Sequence, residues 1–243
     1  MGSVSSNQRI GIVTGASTGI GRAIAIAFAR CNISVGLVGR NQQALSETKK
    51  LVDAVGGNGR VFIADLRKLE SINALVQDIR KSYGAVDILA NVAGVWHDQE
   101  KAFYGPHLDE LPVSQINDVI DVNIRATMLL TGSLIPLIKT RKHGKIINIS
   151  GTFSNGGAGW LHYYVTKLAV ESFTKGLSDE LKEFNIQVNC ISPSDVATHA
   201  LEKYFPEQIE FALNPDDVAK LAVFLTCSEV ANSISGQIIV IKK

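Results

Sequence analysis

The chain has 243 residues, 46% of them hydrophobic and 19% charged, so it can bury a large core within one α/β domain, expected to span residues 1–243. Lys and Arg number 24 against 23 Asp and Glu, a net charge of +1 with no long run of either sign, which argues against a nucleic-acid or anionic-membrane surface. Cys31, Cys190 and Cys227 are odd in number and widely spaced, unlike a disulfide frame or a zinc site, and Met1 to Arg9 is polar, without an apolar signal core.

No stretch reaches about 18 uninterrupted apolar residues. A cytoplasmic protein is therefore expected, with small molecules or copies of itself as partners and with neither a nucleic acid nor a membrane among them. Apolar β-branched runs alternate with helical patterns along the whole chain, the signature of βαβ units and a parallel sheet covered on both faces. Strands are expected near Ile10 to Thr14, Ile33 to Val38, Arg60 to Ala64, Val86 to Asn91, Lys145 to Ser150, Gln187 to Ile191 and Gln237 to Ile241. Helices are expected near Gly19 to Arg30, Gln42 to Val55, Leu69 to Tyr83, Val113 to Thr140, Tyr163 to Phe184 and Pro215 to Ser228. Two segments, Val95 to Pro112 and Ser192 to Asn214, lack clear periodicity. Both lie beyond carboxyl ends of strands, where ligands sit in a parallel sheet, and they are the expected substrate walls.

The first strand runs into Thr14-Gly15-Ala16-Ser17-Thr18-Gly19-Ile20-Gly21, which opens the first helix. A glycine-rich turn between a buried strand and a helix gathers unpaired N–H groups and the positive helix end at one spot, which attracts phosphate. Gly15 serves a tight turn, Gly19 a close backbone approach to a pyrophosphate, and Gly21 the packing of helix on strand.

After the second strand comes Arg40, about twenty residues past the glycine turn, where an acid would grip a ribose 2′-hydroxyl. Arg40 instead offers a fork of donors to a 2′-phosphate, so NADP(H) is favoured over NAD(H). An ordinary solvated arginine opening a helix is the other reading. Asp65 either accepts from an adenine amino group or caps the next helix. Asn91-Val92-Ala93-Gly94 ends the fourth strand with small residues that admit a flat ring to the backbone.

Ser150 ends the fifth strand, and Tyr163 and Lys167 follow on the next helix. Four residues apart, they share a helix face, so an ammonium lies near a phenol. A nearby cation favours phenolate over a phenol that ordinarily titrates near about 10, making Tyr163 a usable proton donor and acceptor. When hydride reaches a carbonyl carbon, the oxygen needs a proton from Tyr163 and a hydrogen bond from a hydroxyl such as Ser150. Asn123 is expected to hold a helix bend and a water that passes protons to Lys167. His162 points about 100° away from Tyr163 around the helix and reads as a neighbour. His97, Asp98, His107 and Asp109 match no ligand spacing, and no metal is expected.

Taken together these residues resemble the short-chain dehydrogenase/reductase family in its compact, single-domain form, from about Arg9 to Ile241. The resemblance rests on Thr14-Gly15-x-x-x-Gly19-Ile20-Gly21, Asp65-Leu66, Asn91-x-Ala93-Gly94, Asn123, Ser150, Tyr163-x-x-x-Lys167, Asn189, Pro193 and Thr198, in that order. It implies a doubly wound Rossmann fold with a seven-stranded parallel sheet in the order 3-2-1-4-5-6-7. It implies a catalytic set of Asn123, Ser150, Tyr163 and Lys167, with Lys167 also bonding the nicotinamide ribose. It implies a cofactor site built from Gly15, Ser17, Thr18, Gly19, Ile20, Gly21, Arg40, Asp65, Leu66, Asn91, Ala93, Gly94, Tyr163, Lys167, Pro193, Val196 and Thr198, and pairing of subunits into dimers or tetramers.

Four positions depart from the family pattern. The serine slot counted from Asn148 is Gly151, whereas counted back from Tyr163 it is Ser150, with Thr152 as a stand-in. Val92 replaces a second asparagine, Ser194 replaces a glycine, and Thr18 stands where NADP-preferring members often carry a second basic residue. The expected activity is NADP(H)-dependent interconversion of a carbonyl and a secondary alcohol, with a 3-oxoacyl thioester as one substrate class. A nucleotide-binding sensor with little turnover is the rival reading.

Overall fold

Arg9–Thr14 forms β1 because its residues are apolar or β-branched and are buried from Ile10 onward, as a strand covered on both faces requires. In this computed structural model, which describes residues 8–141, 143–153 and 156–243, alternate residues of each strand enter opposite layers. Ile10 and Ile12 of β1 and Ile146 of β5 (Lys145–Ile149) pack on one side; Val13, Ile147 and Ile149 pack on the other. The first layer contains Ile72 and Ile79 of α3 (Leu69–Tyr83), Leu130 and Leu134 of α5 (Ala126–Ile138) and Leu177 of α6 (Leu161–Glu180). The second contains Ile24 and Phe28 of α1 (Gly19–Arg30), Leu45 and Val52 of α2 (Gln42–Ala54) and Val218, Ala222 and Leu225 of α8 (Pro215–Cys227).

The remaining strands are β2 (Ile33–Gly39), β3 (Asn58–Ile63), β4 (Ile88–Asn91), β6 (Gln187–Pro193) and β7 (Ile238–Ile241). All pairings are parallel, and the sheet order is β3-β2-β1-β4-β5-β6-β7, as expected from the resemblance. The order reverses between β1 and β4, whose carboxyl ends diverge into a crevice. A buried polar network ties the middle of the sheet beneath it: the Asn91 amide donates to Asn148 Oδ1 and Thr131 Oγ1, each at 2.9 Å, and Asn148 donates to Thr174 Oγ1 at 2.9 Å.

The long helix expected over Val113 to Thr140 is broken. It consists of α4 (Val113–Ile120), a five-residue π-helical turn at Asp121–Arg125, and α5. The wide turn follows from Asn123, whose side chain bonds away from the helix, as described below. The stretch from Ser192 to Asn214, which lacks periodicity, holds the end of β6, a short helix α7 (His199–Tyr204) and a 3₁₀ segment at Pro206–Phe211. Six-residue elements are too short to establish a hydrophobic period. No helix among the described residues is long and apolar enough to cross a membrane.

Candidate active site

The glycine turn lies at the carboxyl end of β1 and is built by contacts that leave no room for side chains. Gly15 has φ +65, and a Cβ there would sit 3.0 Å from the Ala93 backbone. A Cβ on Gly21 would meet the Gly15 carbonyl oxygen at 2.2 Å, so α1 can lie tight against the turn only with glycine there. Gly19, at φ +53, faces Thr198, whose Cγ2 lies 2.8 Å from where a Cβ would be. The helix start carries no side-chain cap: Thr18 is extended and its side chain makes no capping hydrogen bond, and the first turn holds no acid. Amide donors and the positive end of α1 are therefore free to meet an anion, and the cradle fits a dinucleotide phosphate.

The turn is held from behind by residues that sequence reasoning missed. Thr48 Oγ1 donates to the Ala16 carbonyl at 2.9 Å, and Arg22 donates to Thr48 Oγ1 at 3.0 Å and to the Ser17 carbonyl at 2.6 Å. Arg22 lies one helical turn after Thr18, but only the fold shows that it bends back to the loop. Thr14 Oγ1 accepts from the amides of Val92 and Ala93 at 2.9 and 3.0 Å, joining β1 to the end of β4 across the crevice.

Arg40 is exposed beside the end of β2. Asp65, left open between adenine and helix capping, does not cap α3, whose N-cap is Lys68. Its carboxylate accepts three bonds from Arg67, from the backbone amide at 3.1 Å, Nε at 3.0 Å and Nη2 at 2.7 Å. That guanidinium holds the Asp65 carboxyl down at about 2, with a smaller contribution from the charge of Arg40. Asn91 and Leu66 are buried. The Asn91 amide is spent on the network under the crevice, so it shapes the cofactor side of the cleft from below rather than facing it.

A cavity of about 610 Å³ opens at the carboxyl ends of β4, β5 and β6. Ile20, Gly94, Ser150, Tyr163, Lys167, Pro193, Val196 and Thr198 all line it, so the structure brings the expected reacting groups and much of the expected cofactor site to one space. The Lys167 Nζ lies 5.3 Å from the Tyr163 ring centre and donates to the Ile149 carbonyl at 3.0 Å. A Cβ on Gly94 would come within 3.4 Å of Lys167 Nζ and 3.5 Å of Asn123 Oδ1. Asn123 accepts from the Val95 amide at 2.7 Å and donates to the Val95 carbonyl and to Thr166 Oγ1, each at 3.1 Å. It thus clamps the loop after β4 against α6, and the π turn is what lets its side chain reach both.

The electrostatics differ from the sequence expectation in one respect. Burial lowers Lys167 to about 8, as expected of an ammonium without a carboxylate partner. Tyr163, however, lies above its ordinary value rather than below it, first through burial and then through the negative charge of Asp195. The neighbouring cation does not overcome those two effects in the chain alone.

Both candidate hydroxyls are engaged. Ser150 Oγ donates to Glu171 Oε1 at 2.9 Å, and Thr152 Oγ1 donates to the Ser192 carbonyl at 2.9 Å. Glu171, one turn beyond Lys167 on α6, also accepts from Ser192 Oγ at 3.2 Å; its spacing from Lys167 was the available signal for it. Gly151 lies between the two hydroxyls, with Phe153 and the Lys167 stem nearest to it. His162 is buried against Gln115, its Nε2 at 3.1 Å from the amide nitrogen, and turns away from the cavity.

The two aperiodic segments meet over the cavity mouth, as expected of substrate walls. Trp96 packs on Trp160 and Phe205 at 5.9 and 6.2 Å, and Tyr104 packs on the same two rings at 5.2 and 6.0 Å. Tyr204 Oη donates to the Asp98 carbonyl, and Lys203 Nζ to the Gln99 carbonyl, each at 2.7 Å.

The family model described as short chain dehydrogenase matches residues 9–209. The chain is 32% identical over 243 residues to the 3-oxoacyl-[acyl-carrier-protein] reductase FabG of Aquifex aeolicus, covering 95% of this chain and 94% of that protein. It is 33% identical over 229 residues to the oxidoreductase YciK of Escherichia coli, covering 90% and 86%. Its fold is similar to L-sorbose reductase of Gluconobacter frateurii, solved in complex with NADPH and L-sorbose, with a TM-score of 0.85, 27% identity and coverage of 97% of this chain and 95% of that one. On the family match and these relatives, the chain belongs to the short-chain dehydrogenase/reductase family of oxidoreductases.

Proposed function

We propose that this chain is an NADP(H)-dependent oxidoreductase that interconverts a carbonyl and a secondary alcohol. The observation that carries the reading is the Lys167 ammonium 5.3 Å from the Tyr163 ring in a cavity continuous with the glycine turn. A reduced dinucleotide bound there supplies the hydride. Tyr163 gives its proton to the carbonyl oxygen, which its upward-shifted phenol is protonated to do at neutral pH. Ser150 orients that oxygen, with Thr152 as the alternative hydroxyl, after exchanging its present acceptor for the substrate. Lys167 returns the proton through the space beside Asn123 and grips the ribose.

Gly15, Ser17, Thr18, Gly19, Ile20 and Gly21 cradle the phosphates, Arg40 pairs with the 2′-phosphate, and Val196 and Thr198 hold the carboxamide and phosphates. Asp65, Leu66, Asn91, Ala93, Gly94 and Pro193 complete the walls. The protein acts as a homodimer or homotetramer, as the family resemblance implies, and in the cytoplasm, which its three unpaired, widely spaced cysteines favour. The relatives that reduce 3-oxoacyl carriers support a 3-oxoacyl thioester substrate. The charged and aromatic lining of the cavity favours a different substrate class.

The test is NADPH oxidation by purified protein against a panel of carbonyls, repeated with Tyr163→Phe. Turnover abolished by that change supports the enzyme. Tight NADPH binding with no turnover on any carbonyl supports a nucleotide sensor instead.

A further inference from the structure

The cavity beside Tyr163 is aromatic and negatively charged. Among the described residues that line it, the charged side chains are Lys167, Asp195 and Glu207. Lys167 is buried at the catalytic end with its ammonium on the Ile149 carbonyl, so it offers little to a distant substrate group. Asp195 is the second residue after Pro193, at the carboxyl end of β6. Its carbonyl accepts from the Leu213 amide at 2.8 Å, next to the bridge between Val196 and Leu213. Its carboxylate is exposed to the cavity and accepts no hydrogen bond from a described residue. The same cavity is lined by Trp96, Tyr104, Trp160 and Phe205, four rings that share one packed wall, with Trp160 6.0 Å from the Tyr163 ring.

We propose that the substrate is a carbonyl compound bearing a protonated amine, with the ammonium paired to Asp195 and lying against the aromatic wall while the carbonyl oxygen reaches Tyr163. Resting on the reductase reading above, this names the substrate class of that same site. The pairing follows from three observations. An unpartnered carboxylate at a cleft accepts charge-assisted hydrogen bonds from N–H groups. Aromatic faces attract cations, the more so once both are shielded from water. The charge of Asp195 also opposes ionisation of the Tyr163 phenol, and a cation seated on that carboxylate cancels the opposition just when proton exchange is required. A polyanionic thioester would instead bring like charge to Asp195 and Glu207. In the reaction the carbonyl carbon takes hydride from NADPH and the oxygen takes the Tyr163 proton, giving an amino alcohol and NADP⁺.

Three aryl ketones of matched shape test the charge: phenacyldimethylamine (cation), isovalerophenone (neutral) and benzoylacetate (anion), each with NADPH-loaded protein. The expected kcat/KM for the cation exceeds that for the neutral ketone by about tenfold and that for the anion by about a hundredfold. Asp195→Asn should abolish the cation's advantage over the neutral ketone and narrow the neutral ketone's advantage over the anion, while Asp195→Glu should restore the order. A wild-type preference for benzoylacetate or for acetoacetyl-CoA, or an equal change on all three ketones in Asp195→Asn, overturns the proposal. Both tryptophans of the chain lie at this wall, so quenching of their fluorescence reads binding without turnover. If no ketone is reduced, the same order of Kd in the wild type upholds the amine site and overturns the reductase, and equal Kd values overturn the amine site.

Discussion

Lys167 holds its ammonium 5.3 Å from the centre of the Tyr163 ring while bonding the carbonyl that ends β5. One cation thereby touches both the sheet and the acid. Because burial and Asp195 keep the phenol above its ordinary value, Tyr163 is a ready donor for reduction, but oxidation of an alcohol needs phenolate. Oxidative kcat/KM is expected to climb steadily from pH 7 to 9 while the reductive value stays level or falls, as read in pH-rate profiles. Tyr163→Phe should cut both by roughly a thousandfold or more and leave the Kd for NADPH within about threefold, measured by fluorescence titration.

Lys167 also sets a stability trend. Its folded value of about 8 lies below the ordinary 10.5, so between those limits the unfolded chain binds more protons than the folded one. Stability of the cofactor-free protein therefore gains a favourable contribution as pH rises from 8 toward 10, before the buried tyrosines begin to oppose it. Lys167→Met should be more stable than wild type at pH 7, with the gap narrowing by pH 10. Urea titrations at the two pH values measure the gap, and a constant gap would contradict the burial of a charged lysine.

A methyl group at Gly19 is expected to act on the cofactor site and on the backbone together. The Cβ would meet Thr198 at 2.8 Å and would stand at φ +53. Gly19→Ala should cost about 1 kcal/mol of stability and weaken NADPH binding by about tenfold or more. Calorimetry and fluorescence titration read the two effects separately.

Arg40→Asp places a second carboxylate near Asp65 and removes the free guanidinium at the end of β2. The loss of NADPH affinity is expected to be about tenfold to a hundredfold, the size of a charge-assisted hydrogen-bond pair, with NADH affinity changed by less than about threefold. Equal losses for the two dinucleotides would show that Arg40 does not meet the 2′-phosphate.

Ser150→Ala and Thr152→Val distinguish the two hydroxyls. Ser150 is expected to matter more, with a loss of about tenfold to a hundredfold in kcat against about threefold for Thr152. Steady-state kinetics on a neutral ketone gives the comparison, and the reverse order would assign the carbonyl to Thr152.

The sheet was readable because most strands carry apolar β-branched runs and the crossover helices are long enough to show their period, whereas the strand order followed from the family resemblance. The site motifs were readable because glycine spacing and the four-residue step from Tyr163 to Lys167 are local. What escaped is non-local or short. The π turn at Asp121–Arg125 arises because Asn123 bonds across to Val95 and Thr166, contacts 28 and 43 residues away. The helix α7 has six residues, too few for a pattern. Arg22, Thr48 and Glu171 read as ordinary helix residues until the chain folds and their polar ends meet loop carbonyls and serines. The rise of the Tyr163 phenol likewise comes first from burial and then from Asp195, 32 positions further on in the sequence, where a helical pairing rule has no reach.

The brace of Arg22 and Thr48 behind the glycine turn bears on how the nucleotide is captured. Because Ala16 and Ser17 already have their carbonyls satisfied from the rear, the amides at the front do not have to be gathered by the incoming phosphate. Little chain entropy is lost on docking, and more of the contact energy is left to appear as affinity. Loosening that brace would slow and weaken capture without touching any atom of the nucleotide.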